Sequence, residues 1–325
     1  MAREPDMNQW KEELVAVFHS GDEARARAMV AQCSAQHRKT RALLEVMLED
    51  ADALVRQTAA FALGELGGAA SARRLEQQLA LEEARGDYDG ESVATVITQA
   101  LGRLEDAGAR ASLVRRLHRL VASPAPEHSD VSTVARSLWR RRHPELIPIV
   151  RQALQRLAPP VSRSLHGLLA LLEKSPEELR AWAREPSVPV EHKTGALTLL
   201  EEDIPDELLA VLPAFISAAH ALVETAVGQK GTASYYCDRL FTLVLLHRER
   251  LLPALPSDAR AELRFLARRL VAARSTNCSI GAAVVLQHVG QREDAPLLEA
   301  NRPTEPILAK VFDEAAQVLR QLPPG

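Results

Sequence analysis

Few residues of this 325-residue chain stand at spacings that do chemistry. Cys33 and His37 lie four apart, which on one helix is the spacing of two metal ligands, but no third or fourth ligand stands nearby. A cysteine beside a surface histidine is the plainer expectation. Carboxylates gather as Glu201-Glu202-Asp203 and Asp206-Glu207. Paired acids can do general acid–base work. These pairs, however, flank the end of one apolar periodic segment and the start of the next. Asp206 and Glu207 suit the positive end of a helix dipole; Glu201–Asp203, at a helix C-terminus, run against that rule. The nucleophile and phosphate-loop signatures GxSxG, GxxxxGKS/T and GxGxxG are absent, and the ten histidines do not cluster. The expectation is a chain without catalytic residues, metal or cofactor.

Charge is less even than the total implies. Eleven arginines fall between Arg110 and Arg163, against Glu127, Asp130 and Glu145 alone, a local excess of eight in a chain of net charge −3. This run is either a basic patch for an acidic protein surface or for phosphates, or arginine stems covering helix surface, with Arg140 to Arg142 compensating a helix end. Only Trp139 is interleaved as an aromatic, which is poor provision for stacking bases. A second irregular stretch, AVGQKGTASYYCDRLF (226–241), reads as a glycine-bearing loop around Gly228 and Gly231. Tyr235 and Tyr236 then open the next helix, at least one of them exposed. ARGDYDGE (84–91) reads as a protruding polar loop.

The elements that must carry these residues are helices. Apolar residues make up 46% of the chain and aromatics 4%, with Ala and Leu dominant and β-branched runs short. Three scattered cysteines make no disulfide framework and read as reduced thiols. The N-terminal stretch lacks the apolar core of a signal peptide. No stretch reads as the ~20 apolar residues that cross a bilayer. A cytoplasmic protein without membrane insertion is expected, and the Arg-over-Lys and Ala/Leu bias points to a GC-rich bacterial source.

The segment VRQTAAFALGELGG (Val55–Gly68) shows how the helices are organised. Shifted by 38 residues, Val55, Ala62, Leu63, Gly64, Leu66 and Leu75 fall on Val93, Ala100, Leu101, Gly102, Leu104 and Leu113. A further 37 brings Leu101, Leu113 and Leu117 onto Leu138, Val150 and Leu154, and Leu286 and Val289 repeat Leu63 and Leu66. A period in the high thirties marks a helical solenoid. Val55, Ala59, Ala62, Leu63 and Leu66 step by three and four along one helix, which Gly67 and Gly68 stop. A second helix carries Leu75, Leu79 and Leu81. Alanine and glycine at the contact let stacked helices approach closely. Ser175, Pro176 and Glu178 form a helix start, and Pro144, Pro159-Pro160, Pro205 and Pro256 mark other boundaries. About seven or eight helical pairs are expected. Their inner helices fall near 52–66, 91–104, 130–142, 161–173, 189–201, 234–247 and 278–289.

DADALVRQTAAFALGELGG resembles the HEAT-like repeat also found in phycobilisome lyases. Asp52, Val55, Arg56, Ala59, Ala60, Ala62, Leu63 and Gly64 carry the match. It is fair at 91–117 and 278–298 and weak between, and the arginine is replaced by Ala94 and Ser132 in the next two copies. The resemblance implies an all-α, right-handed α-α superhelix spanning 1–325. Capping helices would lie in 1–40, the best-matched repeats in 51–128, degenerate ones in 129–275 and a C-terminal repeat and cap in 276–325. It also implies a binding scaffold rather than a chemistry: most such proteins bind proteins along the concave face, some bind nucleic acid or act on damaged bases, and some handle bilins. The recognition surface expected here is the exposed side of the inner helices. Its residues are Arg56, Gln57, Phe61, Thr95, Gln99, Arg136, Arg140, Arg163, His192, Lys193, Tyr236 and Arg239. A protein partner with an acidic surface is the leading expectation, with a nucleic acid (bound through 110–163) and a bilin as alternatives.

Overall fold

A computed structural model describes residues 7–33, 37–159, 161–225, 230–273 and 275–323. Among them 80% are helical and none lie in a strand, so the chain is all-α. The helices divide into two compact units, Met1–Ser162 and Arg163–Gly325. Unit 1 contains α1 (Met7–His19), α2 (Glu23–Gln32), α3 (His37–Met47), α4 (Ala53–Leu66), α5 (Gly68–Arg85), α6 (Tyr88–Arg103), α7 (Ala107–Ala122), α8 (His128–Arg140) and α9 (Leu146–Leu154). Unit 2 contains α10 (Arg163–Glu173), α11 (Pro176–Arg184), α12 (Val190–Leu200), α13 (Leu212–Thr225), α14 (Lys230–Leu246), α15 (Arg248–Ala254), α16 (Ser257–Leu270), α17 (Thr276–Val289), α18 (Ala295–Ala300) and α19 (Pro306–Arg320).

Helices alternate between two rows. In unit 1, α4, α6 and α8 pack in succession as a first row, and α5, α7 and α9 as a second. In unit 2 the first row runs α10, α12, α14, α17, α19, and α11, α13 and α16 succeed one another behind it. Each expected inner helix, including those in the weakly matching middle of the sequence, is a first-row helix.

Small residues set the spacing of that row. A Cβ added to Gly64 of α4 would lie 2.8 Å from the Ala100 Cβ of α6, and one on Gly102 would lie 2.8 Å from the Ser137 Cβ of α8. In unit 2 the approach is closer: a Cβ on Gly167 would be 2.3 Å from the Ala196 backbone N, and one on Gly195 2.5 Å from the Arg163 carbonyl. Ala59, Ala62, Leu63, Leu101 and Leu138 are fully buried at the contact, with Leu75, Leu113 and Val150 behind them in the second row.

Caps explain the boundaries. Asp52 accepts a hydrogen bond from the Leu54 N–H at 2.8 Å, and Gly67, at φ 79°, ends α4. Ser175 and Glu178 form a reciprocal capping box on α11, with Pro176 just inside it. Pro205 and Pro256 sit at the starts of the 3-10 turn Asp206–Val211 and of α16. Pro160 lies outside the described residues.

Several expectations need correction. Cys33 ends α2 and His37 begins α3, so they do not share a helix and the two-ligand spacing has no meaning there. The protruding loop at 84–91 is a two-residue link: α5 runs to Arg85 and α6 begins at Tyr88. Gly86 makes this possible at φ 64°. Leu81 is 57% exposed rather than part of the second-helix stripe. α14 begins at Lys230, so Gly231 and both tyrosines are inside it; Gly228 lies outside the described residues. Finally, Asp206–Thr225 is long and apolar enough to cross a membrane by length and composition alone. Here its Leu212, Phe215, Ile216 and Ala219 are buried where α13 packs on α11, α14 and α16.

Candidate partner-binding face

The first row of unit 1 presents a three-by-three grid. On each helix, residues four apart lie on one face: Gln57, Phe61 and Glu65 on α4, Thr95, Gln99 and Arg103 on α6, Ser132, Arg136 and Arg140 on α8. Corresponding members are 37 or 38 residues apart, one repeat, so Ser132 answers to Gln57, and Val131 rather than Ser132 stands at the Arg56 position of the third copy. All but Phe61 are half-buried, open on one side to solvent and braced on the other.

The α4 edge of the grid is tied down by charge. The Gln57 amide donates to Ser92 Oγ of α6 at 2.8 Å. Glu65 accepts from Arg27 at 3.2 Å and faces Arg103 at 3.6 Å. Glu23 pairs with Arg27 at 2.5 Å and Arg103 at 3.5 Å. The Arg27 and Arg103 guanidiniums stand 5.9 and 5.3 Å from the Phe61 ring centroid, and Phe18 lies against the same ring at 4.7 Å. Phe61 is thereby buried beneath the face, not displayed on it. Burial weakens the protonated form of Arg103; Glu65 and Glu23 oppose this, while Arg27 and Arg140 add repulsion. Along the row the charged position changes from Glu65 to Arg103 to Arg140, so the face grows more basic toward α8.

The arginine run does not form one patch. Arg115 and Arg119 of α7 reach back one repeat to Glu76 and Glu83 of α5, at 2.6 and 2.7 Å. Arg110 faces Glu145 at 3.6 Å. Arg116 is buried, donating to the Ala94 carbonyl, Thr98 Oγ1 and, at 3.0 Å, Asp130. It occupies the space beside Ala94, the position where α4 carries Arg56. Arg141 donates to the Leu104 carbonyl at 3.0 Å, and Arg142 lies over Trp139 at 4.8 Å. Part of the excess of eight arises because Glu76 and Glu83, which pair with Arg115, Arg116 and Arg119, precede the run in sequence.

Four of the expected surface residues are structural. Arg56 is 1% exposed. It pairs with both oxygens of buried Glu82 at 2.8 and 3.2 Å and donates to the Asp50 and Ala51 carbonyls. Phe61 is covered as described. Lys193 is buried, its ammonium on the Glu185 carbonyl at 2.8 Å. Tyr236 is buried and donates its hydroxyl to the Phe215 carbonyl at 3.1 Å. Of the tyrosine pair it is Tyr235 that is exposed, with the Arg239 guanidinium 6.0 Å from its ring centroid.

In unit 2, Arg163, His192 and Arg239 remain half-exposed on the first row. Arg239 pairs with Asp238 at 2.9 Å and with Glu201 at 3.3 Å, one repeat earlier. Glu201, at the acidic end of α12, is therefore paired from the next repeat. His247 donates to the Glu201 carbonyl at 3.1 Å, and Arg250 donates to the Ile204 carbonyl at 3.0 Å and pairs with Asp206 at 2.6 Å. The carboxylate cluster is helix-end structure. His192 stacks on His166 at 3.8 Å with an interplanar angle of 11°. A metal ion must lie in the plane of each imidazole that binds it, and two such parallel planes share no point at ligand distance. Among the described residues no group of three or more His, Cys, Asp or Glu is placed to hold a metal.

Fold and face together define an all-α protein of stacked helical pairs. No protein-family model matches the chain, and no curated protein matches it.

Proposed function

We propose that the chain is a non-catalytic scaffold or adaptor of the HEAT-like kind, binding a partner protein along the first-row face of unit 1. The grid of Gln57, Thr95, Gln99, Ser132, Arg136 and Arg140 carries this reading: half-exposed polar side chains in register across three helices, held by a glycine-spaced core. Repeat proteins use such extended faces because each helix adds one row of contacts to a rigid surface. The arginine end at α8 favours an acidic partner surface, which would steer encounter and fix register more than it would add affinity. Pairing of Arg115, Arg116 and Arg119 with carboxylates counts against a phosphate-binding stripe. A nucleic-acid complex would instead show steep loss of affinity with salt. Arg136→Glu with Arg140→Glu tests the reading: partner binding falls at least tenfold while the denaturation midpoint stays in place. Equal loss of stability and binding would make these residues structural.

A further inference from the structure

The seam between α10 and α12 joins two unusual features. Gly167 and Gly195 bring the two backbones together with no room for a Cβ, and beside this contact His166 and His192 stack ring on ring at 3.8 Å. Both rings are half-buried. The backbone contact fixes how far apart the two histidine Cα positions stand, and so holds the rings face to face across the seam. We propose that the His166–His192 stack is an acid-responsive joint: protonation of either ring drives the pair apart and loosens the α10–α12 seam.

Two neutral imidazoles stack without charge conflict. The first proton is opposed because the half-buried, ring-covered site withholds water from the charge, and a second imidazolium at this distance adds repulsion. Burial, then the neighbouring ring, pushes His166 down to about 4. Burial also lowers His192, with Glu191 opposing. The other charged groups nearby are otherwise engaged or placed. Arg163 stands one turn before His166 on α10, and Lys193 of α12 is bonded to the Glu185 carbonyl. On α14, which packs on the other side of α12, Asp238 and Arg239 pair with each other. Glu191 is thus the carboxylate that acts on the pair, and it acts on His192 alone.

The sign follows from linkage. In the unfolded chain a histidine titrates near ~6.5. Between about 6.5 and 4 the unfolded or opened seam takes a proton that the closed stack refuses, so stability falls as pH drops through that window. Above it the joint is silent. For His166 alone the opening constant should rise roughly tenfold to twentyfold between pH 7 and pH 5.

Hydrogen exchange on the full chain tests this at amides of Leu168–Leu171 and Ala196–Leu200, corrected for intrinsic rates. The joint predicts about tenfold faster exchange there at pH 5 than at pH 7. It also predicts loss of that difference in His166→Phe/His192→Phe, which keeps the stack and removes the protons. An unchanged acid response in the variant, or none in the wild type, overturns the proposal. If the variant does not fold, the imidazole NMR titration of the wild type decides. His166 neutral down to pH 5 supports the joint, and a midpoint near 6.5 refutes it. Neither readout depends on partner binding.

Discussion

Arg119 of α7 and Glu83 of α5 are paired at 2.7 Å across 36 residues of chain, one repeat apart. The same step recurs in Lys11 with Asp50, Arg27 with Glu65, Gln57 with Ser92, Arg115 with Glu76 and Arg239 with Glu201, at separations of 35 to 39. Polar side chains thus link positions about one repeat apart, helix to helix except at Asp50, which precedes α4, and Glu201, the C-cap of α12, while the apolar residues between them fill a shared core. Most of these pairs are part-exposed, and each contributes about 0–1 kcal/mol. Their consistency of register matters more than their strength.

The ion pair within the repeat is of another kind. Arg56 and Glu82 are 1% and 0% exposed, and Gln78 donates to Glu82 at 2.7 Å. Arg56→Met should destabilise the protein by about 1–3 kcal/mol in urea denaturation, because it leaves the buried Glu82 carboxylate with Gln78 and the half-exposed Arg85, at 3.0 Å, as its remaining partners. Arg56→Met with Glu82→Met should recover most of that loss. A single variant within 1 kcal/mol of wild type would show that water reaches the pair.

The glycines separate packing from backbone propensity. Gly167→Ala sets a methyl 2.3 Å from the Ala196 backbone N and should cost about 1–3 kcal/mol or more. Gly231, inside α14, has nothing within 4 Å of an added Cβ, so Gly231→Ala should stabilise by about 0.5 kcal/mol. Thermal melts of the two variants should move in opposite directions.

Burial raises the Cys237 thiol, aided by the charges of Cys278 and Asp238, and pushes Cys278 up to about 12. At pH 8 a thiol titrating there is ionised in about one molecule in ten thousand, far below an exposed cysteine. Maleimide should label Cys237 and Cys278 only as fast as the protein unfolds, and at ordinary rates in 6 M guanidinium. Labelling of Cys278 within minutes in the native protein would contradict its burial at the α14–α17 contact.

Architecture was legible in the sequence because the repeat core is local. The three- and four-residue steps of Val55–Leu66 and the 38-residue shift are read directly, and small residues at Ala59, Ala62 and Gly64 announce close stacking. The face was legible only in part. Gln57, Thr95, Gln99, Arg136 and Arg140 fall on it, but Arg56, one residue from Gln57, turns inward because its partner lies 26 residues away on α5. Charge counted along the chain missed Glu76 and Glu83 for the same reason: pairing runs across the repeat period. Glu65 and Arg103 were overlooked although they stand 38 apart at equivalent positions beside Leu66 and Leu104, which was the available signal. Tyr235 and Tyr236 could be divided into one exposed and one buried, but which was buried depended on the reach of a hydroxyl to Phe215.

Site-directed photocrosslinking tests the central claim most directly. A photoreactive residue is placed singly at Gln99 or Arg136 on the first-row face, and at Gln77 of the second-row helix α5 or Arg156 in the turn after α9, in the protein expressed in its host. Binding along the first row predicts that Gln99 and Arg136 capture the same protein, identified by mass spectrometry, and that Gln77 and Arg156 do not. Capture confined to Gln77 and Arg156, or capture of nucleic acid at Arg136, would contradict it.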